Sequence, residues 1–342
     1  MKPGADSLII APQWIGDAVM TEPLLRRLAA RGERLTVAAL PWVAPVYRLM
    51  SQVTEVIELP FAHGGIQWKA RLSLAHQIKG RFDSAYVCPN SFKSALLPFL
   101  AGIQQRLGYL GEARFGLLTH RLKNPPKNQR PPMVAFYSAL SGERDLAMDR
   151  PQLRSDRAAV EQTLQQLGLP YAGYFVFAPG AEFGPAKRWP TSHFAELARG
   201  LGQPVVLLGS AKEHALCEEI AVPANALQVG KCLNLAGRTN LIQAFHLIAA
   251  AQCTISNDSG LMHVAAALGV SQVAIFGSSS PLHTPPLNAR ASVLWLKNER
   301  SYQPALDCAP CFERSCPFGH TRCLHDISAS QVLQRIEHQN RV

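Results

Sequence analysis

Residues 7–40 read SLIIAPQWIGDAVMTEPLLRRLAARGERLTVAAL. A short apolar run at 7–12 gives way to a helical stretch at 16–32, and a second apolar run follows at 34–40. Short apolar strands alternating with helices of ten to fifteen residues indicate βαβ units and a parallel sheet covered on both faces. The same kind of run returns as SAYVCP (84–89), YFVFAPG (174–180), PVVLLGS (204–210), CTISND (253–258) and QVAIFGS (272–278). The pattern therefore occurs twice, and the expected fold class is α/β with two doubly wound domains.

Length agrees, since 342 residues suit two domains of about 100 to 200 residues better than one core. The polar stretch SGERDLAMDRPQLRSDRAAV (141–160) with Pro151 reads as the linker region, which gives a first domain over 1–155 and a second over 156–325. The final stretch, 326–342, carries Val332 and Ile336 at helical spacing and reads as a terminal helix. NPPKNQRPP at 124–132 reads as a proline-stiffened surface loop.

Hydrophobic residues make up 47% of the chain and charged residues 17%, enough for a sizeable core in each half. No apolar run approaches the roughly 18 to 20 residues of a membrane span. The first apolar run breaks into Gly16 and Asp17, so it is expected to be a strand rather than a signal peptide. A cytoplasmic location follows as an expectation, with the eight cysteines reduced unless they bind metal or do chemistry. The net charge is +10, and residues 1–150 hold +8 of it, with 19 Lys and Arg against 11 Asp and Glu. A basic first half suggests an anionic partner: nucleic acid, a phosphorylated small molecule or an acidic membrane surface.

Ligands of doubly wound sheets sit beyond the carboxyl ends of the strands, so the residues after each strand deserve weight. Asp17 follows Gly16 at a strand-to-helix turn; it is either an N-cap or a carboxylate that accepts a proton from a substrate hydroxyl. In SNDSGLMHVAAALG (256–269), Asp258, Ser259 and Gly260 open a helix with His263 in its first turn. That is an anion site, or an ordinary capped helix with a surface histidine. No Gly-x-Gly-x-x-Gly is present at either place, which disfavours a nicotinamide enzyme. In GSAKEH, Gly209 and Ser210 permit close approach and Glu213 suits the paired hydroxyls of a ribose, or is simply solvated.

The irregular PGAEFGPAKRWP (179–190) follows another strand. Gly180 lets the backbone approach a ligand, and Lys187 and Arg188 are aimed at phosphate, while Glu182 either orients Lys187 or touches a sugar. No Asp-x-Asp pair exists to hold a divalent metal on a diphosphate. At 86–102, Asn90, Ser91 and Lys93 occupy one more strand-helix junction, followed by Arg106, Arg114, Arg121 and Lys123 beside Tyr109 and Phe115. Bases with interleaved aromatics suit nucleic acid or a phosphorylated glycolipid, or form a solvated face.

Taken together, WIGDAVM, PNSFKSAL, PGAEFGPAKRWP, GSAKEH and NDSGLMHVAAAL resemble the ADP-heptose:lipopolysaccharide heptosyltransferases, nearest to the type II members of inner-core synthesis. The resemblance covers nearly the whole chain. It implies a GT-B arrangement of two Rossmann-like domains facing across a cleft, with the terminal helix packing back on the first. It also implies inverting chemistry that needs no metal or other catalytic cofactor. By position, Asp17 is the catalytic base and Lys187 neutralises the departing ADP, with Arg188 assisting. Gly180, Ser210, Glu213, Asp258, Ser259, Gly260, Leu261 and His263 fall on the donor side, and Asn90, Ser91 and Lys93 on the acceptor side. The implied partners are ADP-heptose and a phosphorylated heptosyl-Kdo2-lipid A acceptor, with peripheral contact to the cytoplasmic face of the inner membrane and no nucleic acid. The alternatives are a type I or III heptosyltransferase with another acceptor or, from another class, a zinc-containing nucleic-acid-binding protein.

Cys308, Cys311, Cys316 and Cys323 form C-x2-C-x4-C-x6-C with His320 among them. Four thiolates could close a tetrahedral structural zinc site, with disulfides, disfavoured in a reducing compartment, or free buried thiols as the alternatives.

Overall fold

The computed structural model describes residues 4–61, 65–126, 129–143, 148–226, 228 and 230–341. Residues 144–147 of the expected linker and 127–128 of the proline-rich loop lie outside these. The chain divides into two compact units, Met1–Arg154 and Ser155–Val342.

In the first unit six parallel strands run in the order β3 (Val53–Glu58), β2 (Arg34–Ala39), β1 (Asp6–Ile10), β4 (Ser84–Val87), β5 (Gln105–Tyr109), β6 (His120–Leu122). Ile9 lies opposite Val37 on one side and Tyr86 on the other. The second unit repeats this order as β9 (Cys232–Asn234), β8 (Val205–Leu207), β7 (Phe175–Ala178), β10 (Cys253–Asn257), β11 (Gln272–Ile275), β12 (Ala291–Leu294). In each unit the chain starts at a central strand, works outward to one edge, then returns to the other side of its starting strand. The order reverses between β1 and β4 and between β7 and β10, which are the two topological switch points.

The central strands are buried along their length, as SLII in β1 and FVFA in β7 show. Helices cover them: α1 (Ile15–Met20), α2 (Glu22–Ala30), α3 (Ala44–Arg48), α4 (Trp68–Gln77), α5 (Phe92–Leu100) and α6 (Met133–Ser138) in the first unit. The second has α7 (Arg157–Leu167), α8 (Thr191–Gly200), α9 (His214–Asn225), α10 (Leu241–Ala249), α11 (Gly260–Ala267), α12 (Arg322–His325) and α13 (Ala329–Arg341). Side chains set several starts. Asp156 accepts from the Ala158 N–H to open α7, and Asn240 and Gln243 form a reciprocal capping box on α10.

The second core is built on Phe177, Phe194 and Trp189, whose indole meets the Phe194 ring edge-on at 4.7 Å. Each such buried ring contributes about 1.5–3 kcal/mol of transfer free energy. Val332 and Ile336 of α13 lie in this same core, and α13 packs on α8 and β11. The apolar face of the last helix is thus spent within the second unit.

Candidate active site in two parts

In the first unit, β1 ends at Ile10 and α1 begins at Ile15, with Trp14 in the N-cap position. Asp17 lies inside the first turn and is not the cap. Its Oδ1 accepts a hydrogen bond from the Tyr137 hydroxyl at 3.0 Å. Burial, reinforced by the Asp17 charge, holds Tyr137 well above the ordinary tyrosine range, so the phenol remains a donor. Burial likewise pushes the Cys88 thiol up to about 12, with Asp17 adding to the effect. Tyr47 is raised for the same reasons, and its hydroxyl meets Thr21 Oγ1 at 3.1 Å. Tyr137, Cys88 and Tyr47 are therefore neutral near pH 7.

Asp17 and Tyr137 line a cavity of about 540 Å3 together with Trp14, Trp42, Arg71, Asn90, Ser91, Lys93 and Glu112. The switch point explains the assembly, since the connections after β1 and β4 carry Asp17 and the Asn90–Lys93 segment. The structure thus brings the expected acceptor-side residues to the expected base. It also adds residues to which sequence reasoning gave no role: Tyr137 comes from α6, 120 positions away with no local signal, whereas Trp14 stands within the WIGDAVM motif itself.

The basic stretch after β5 is mostly a brace. Arg114 is fully buried and donates to the carbonyls of Tyr109, Pro89 and Ser91 and to Asn90 Oδ1. Burial lowers it to about 10, against the opposing pull of Glu112. Arg106 donates to the Leu117 and Ile103 carbonyls, and Tyr109 is buried and stacked on Phe136 at 3.9 Å. Arg71 holds the Ile66 and Lys93 carbonyls, with its guanidinium 4.1 Å over Phe61. These side chains satisfy backbone oxygens rather than offering charge to a nucleic acid.

In the second unit the corresponding switch joins the loop 179–190 after β7 to the start of α11 after β10. Lys187 Nζ meets Asp258 Oδ2 at 2.5 Å, and Thr284 Oγ1 donates to Asp258 Oδ1 at 3.2 Å. Asp258 therefore takes the orienting role considered for Glu182, which is exposed. Buried Asn257 staples both ends of the loop, its Nδ2 donating to the Pro179 carbonyl and its Oδ1 accepting from the Trp189 N–H. Further support comes from Arg314, whose carbonyl accepts from the Ala186 N–H. Gly184 sits at φ 150°, where a Cβ would stand 2.4 Å from that same carbonyl oxygen, so no side chain fits. The Phe183 ring has the Lys187 ammonium at 5.2 Å and the Arg314 guanidinium at 5.4 Å from its centre.

Gly180 and Glu213 are brought into contact: a Cβ on Gly180 would fall 1.7 Å from Glu213 Oε1. The Glu213 carboxylate accepts from the Ser210 N–H at 2.7 Å and from its hydroxyl at 3.0 Å, which fixes it at the end of β8. Arg188 instead turns back to its own loop, donating to the Ala181 carbonyl at 3.3 Å. Ser259, Gly260 and Leu261 are half-buried at the start of α11. The buried hydroxyls of Ser259, Ser278 and Ser279 make no hydrogen bond among the described residues, and Ser259 stands at the N-cap of α11, a helix end that suits an anion. His263 is buried rather than on the surface, and burial lowers it to about 4 despite Asp258, so the ring is neutral near pH 7.

Among the described residues no group of three or more His, Cys, Asp and Glu is placed to hold a metal ion. The four cysteines are free thiols around a cavity of about 20 Å3. Burial and the neighbouring cysteines push Cys323 up to about 11. Around Cys316, backbone N–H groups of Thr321, Phe318, His320 and Gly319 outweigh burial and lower it.

Two parallel Rossmann-like sheets, one with a carboxylate in an open pocket and the other with a cationic loop against a helix N-terminus, define a glycosyltransferase with a GT-B-like fold. Residues 71–321 match the family model of glycosyltransferase family 9 (heptosyltransferase), and the chain belongs to that family. It is 42% identical to lipopolysaccharide heptosyltransferase 2 of Escherichia coli K12 over 348 aligned positions, covering 96% of this chain and 97% of the relative. Against lipopolysaccharide heptosyltransferase 2 of Salmonella typhimurium the identity is 44% with the same coverage. The solved structure of E. coli ADP-heptose LPS heptosyltransferase II superposes with a TM-score of 0.83 at 39% identity, covering 98% of each chain.

Proposed function

We propose that the chain is an inverting heptosyltransferase that moves L-glycero-D-manno-heptose from ADP-heptose to heptosyl-Kdo2-lipid A. The observation that carries this reading is Asp17, held by Tyr137 on the wall of an open pocket. The Asp17 carboxylate, oriented by the phenol, accepts the proton of the acceptor hydroxyl. The acceptor oxygen bonds to the anomeric carbon as the bond from that carbon to the diphosphate breaks. ADP departs with the electron pair, and attack from the face opposite the leaving group inverts the centre. Tyr137 is a positioning residue, since it acts through Asp17.

The developing charge on ADP is met by Lys187, aligned by Asp258, and by the N-terminus of α11 with Ser259, Gly260 and Leu261. Glu213 holds the ribose hydroxyls, with Gly180 and Ser210 shaping its position. Neutral His263 donates or accepts one hydrogen bond to the donor without adding charge. Arg188 serves by stiffening its loop. Asn90, Ser91 and Lys93 face the acceptor. No step is assigned to a metal ion or other cofactor.

The type II acceptor is favoured by the names of both enterobacterial relatives. The nucleic-acid alternative loses its support, because Arg106 and Arg114 are spent on carbonyls. A place at the cytoplasmic face of the inner membrane, in peripheral contact with it, fits a lipid-anchored acceptor and a net +8 in residues 1–150. Among the described residues no helix is long and apolar enough to cross a membrane. The test follows ADP release with defined acceptors: turnover with heptosyl-Kdo2-lipid A is expected, while turnover with Kdo2-lipid A alone would refute the acceptor assignment.

A further inference from the structure

All six strands of the first sheet are parallel, so the segments that follow them gather at one edge, where the Asp17 pocket opens. Five of those segments each present an exposed aromatic ring: Trp14 after β1, Trp42 after β2, Trp68 after β3, Phe92 after β4 and Phe115 after β5. Their exposures run from 36% to 59%, although burial is the rule for rings of this size. Of the unit's exposed aromatics among the described residues only Phe99 lies elsewhere, at the far end of α5 with the Arg106 guanidinium 5.4 Å above it.

Bases share the edge. Lys69 follows Trp68, Lys93 follows Phe92, and Lys123 comes directly after β6. Asp17, which lines the pocket, and Glu112, which accepts the Phe92 N–H at 2.7 Å, are acids of these segments, and Glu58 ends β3 in an ion pair with Arg48. Rings with polar rims partition to the water–hydrocarbon boundary of a bilayer, and nearby bases add attraction to anionic headgroups.

We infer that this edge of the first unit docks on an anionic bilayer, with Trp14, Trp42, Trp68, Phe92 and Phe115 entering the headgroup region around the mouth of the pocket. The inference rests on the reading of a lipid-anchored acceptor, whose sugars would then reach Asp17 while its acyl chains stay in the membrane.

The test is flotation of the full chain with vesicles of phosphatidylcholine plus phosphatidylglycerol, and with phosphatidylcholine alone. Binding to the anionic vesicles is expected, with quenching of tryptophan fluorescence by brominated lipid. Trp68→Ser combined with Phe115→Ser, at two rim positions that do not line the pocket, should lower the partition roughly 10- to 100-fold. ADP release with a deacylated acceptor should keep its wild-type rate. Absence of vesicle binding or of quenching would overturn the inference, as would an unchanged partition of the double variant, which would leave charge alone as the attraction. So would a lost rate on the deacylated acceptor with partition intact, which would assign the rings to sugar stacking. Vesicle binding without turnover of any Kdo-containing acceptor would uphold the docking edge and remove only the acceptor reading.

Discussion

The two units share one strand order yet carry opposite kinds of site at their switch points. The first has a wide cavity of about 540 Å3 with tryptophan walls and a carboxylate held by a buried, protonated tyrosine. In the second, the loop is stapled at both ends by Asn257, backed by Arg314, and presents a lysine already paired to an aspartate. A large, variable acceptor calls for room and a base; a nucleotide with a diphosphate calls for a rigid cationic frame. The topology supplies a location in both cases, and the side chains decide its chemistry.

The largest effect that would sharpen this contrast is at Asp17. Asp17→Ala should lower kcat about 10²- to 10⁴-fold with the thermal midpoint near wild type; retention of the rate would leave the first unit without a base. Next, Lys187→Ala should cost about 10²- to 10³-fold in kcat, measured as ADP release at saturating donor. A drop in stability with turnover preserved would reduce the lysine to a partner for Asp258.

His263 tests the second unit through pH. Its folded value of about 4 lies below the ordinary 6.5, so the unfolded chain takes up a proton first as the medium is acidified. The stability linked to this ring is therefore fully present above pH 6.5 and is lost as pH falls toward 4, amounting to about 3 kcal/mol. Denaturant titrations at pH 7 and 4.5 should show the loss, and His263→Asn should remove that part of it; an identical pH slope in the variant would place the proton uptake elsewhere.

The smallest expected effect belongs to Tyr137→Phe, at about tenfold in kcat with KM for the acceptor little changed. Losing a hydrogen bond donated to the carboxylate favours its protonated form. The acid limb of the kcat/KM profile should accordingly move to higher pH. A lower rate with an unmoved limb would make Tyr137 a packing residue only.

The alternation of apolar runs with helices exposed the two sheets, because their central strands are continuous apolar segments buried on both faces. Outer strands were less legible: β3 (VTEVIE) and β6 (HRL) are half-exposed and mix charges into short runs, so periodicity says little there. Motif spacing gathered Asp17 with Asn90 and Lys93, and Lys187 with Asp258, since each follows a strand at a switch. Partners from distant helices and loops were invisible. Tyr137, Thr284 and Arg314 act through contacts that no local pattern encodes, and the brace made by Arg114 looked the same as a free basic patch until its carbonyl partners were seen.

The division of labour between the units is tested most directly by calorimetric titration of ADP into Asp17→Ala. Wild-type affinity for the nucleotide is expected in a protein that no longer turns over. A lost affinity for ADP would contradict that division, because the base would then belong to the nucleotide site rather than to the acceptor pocket.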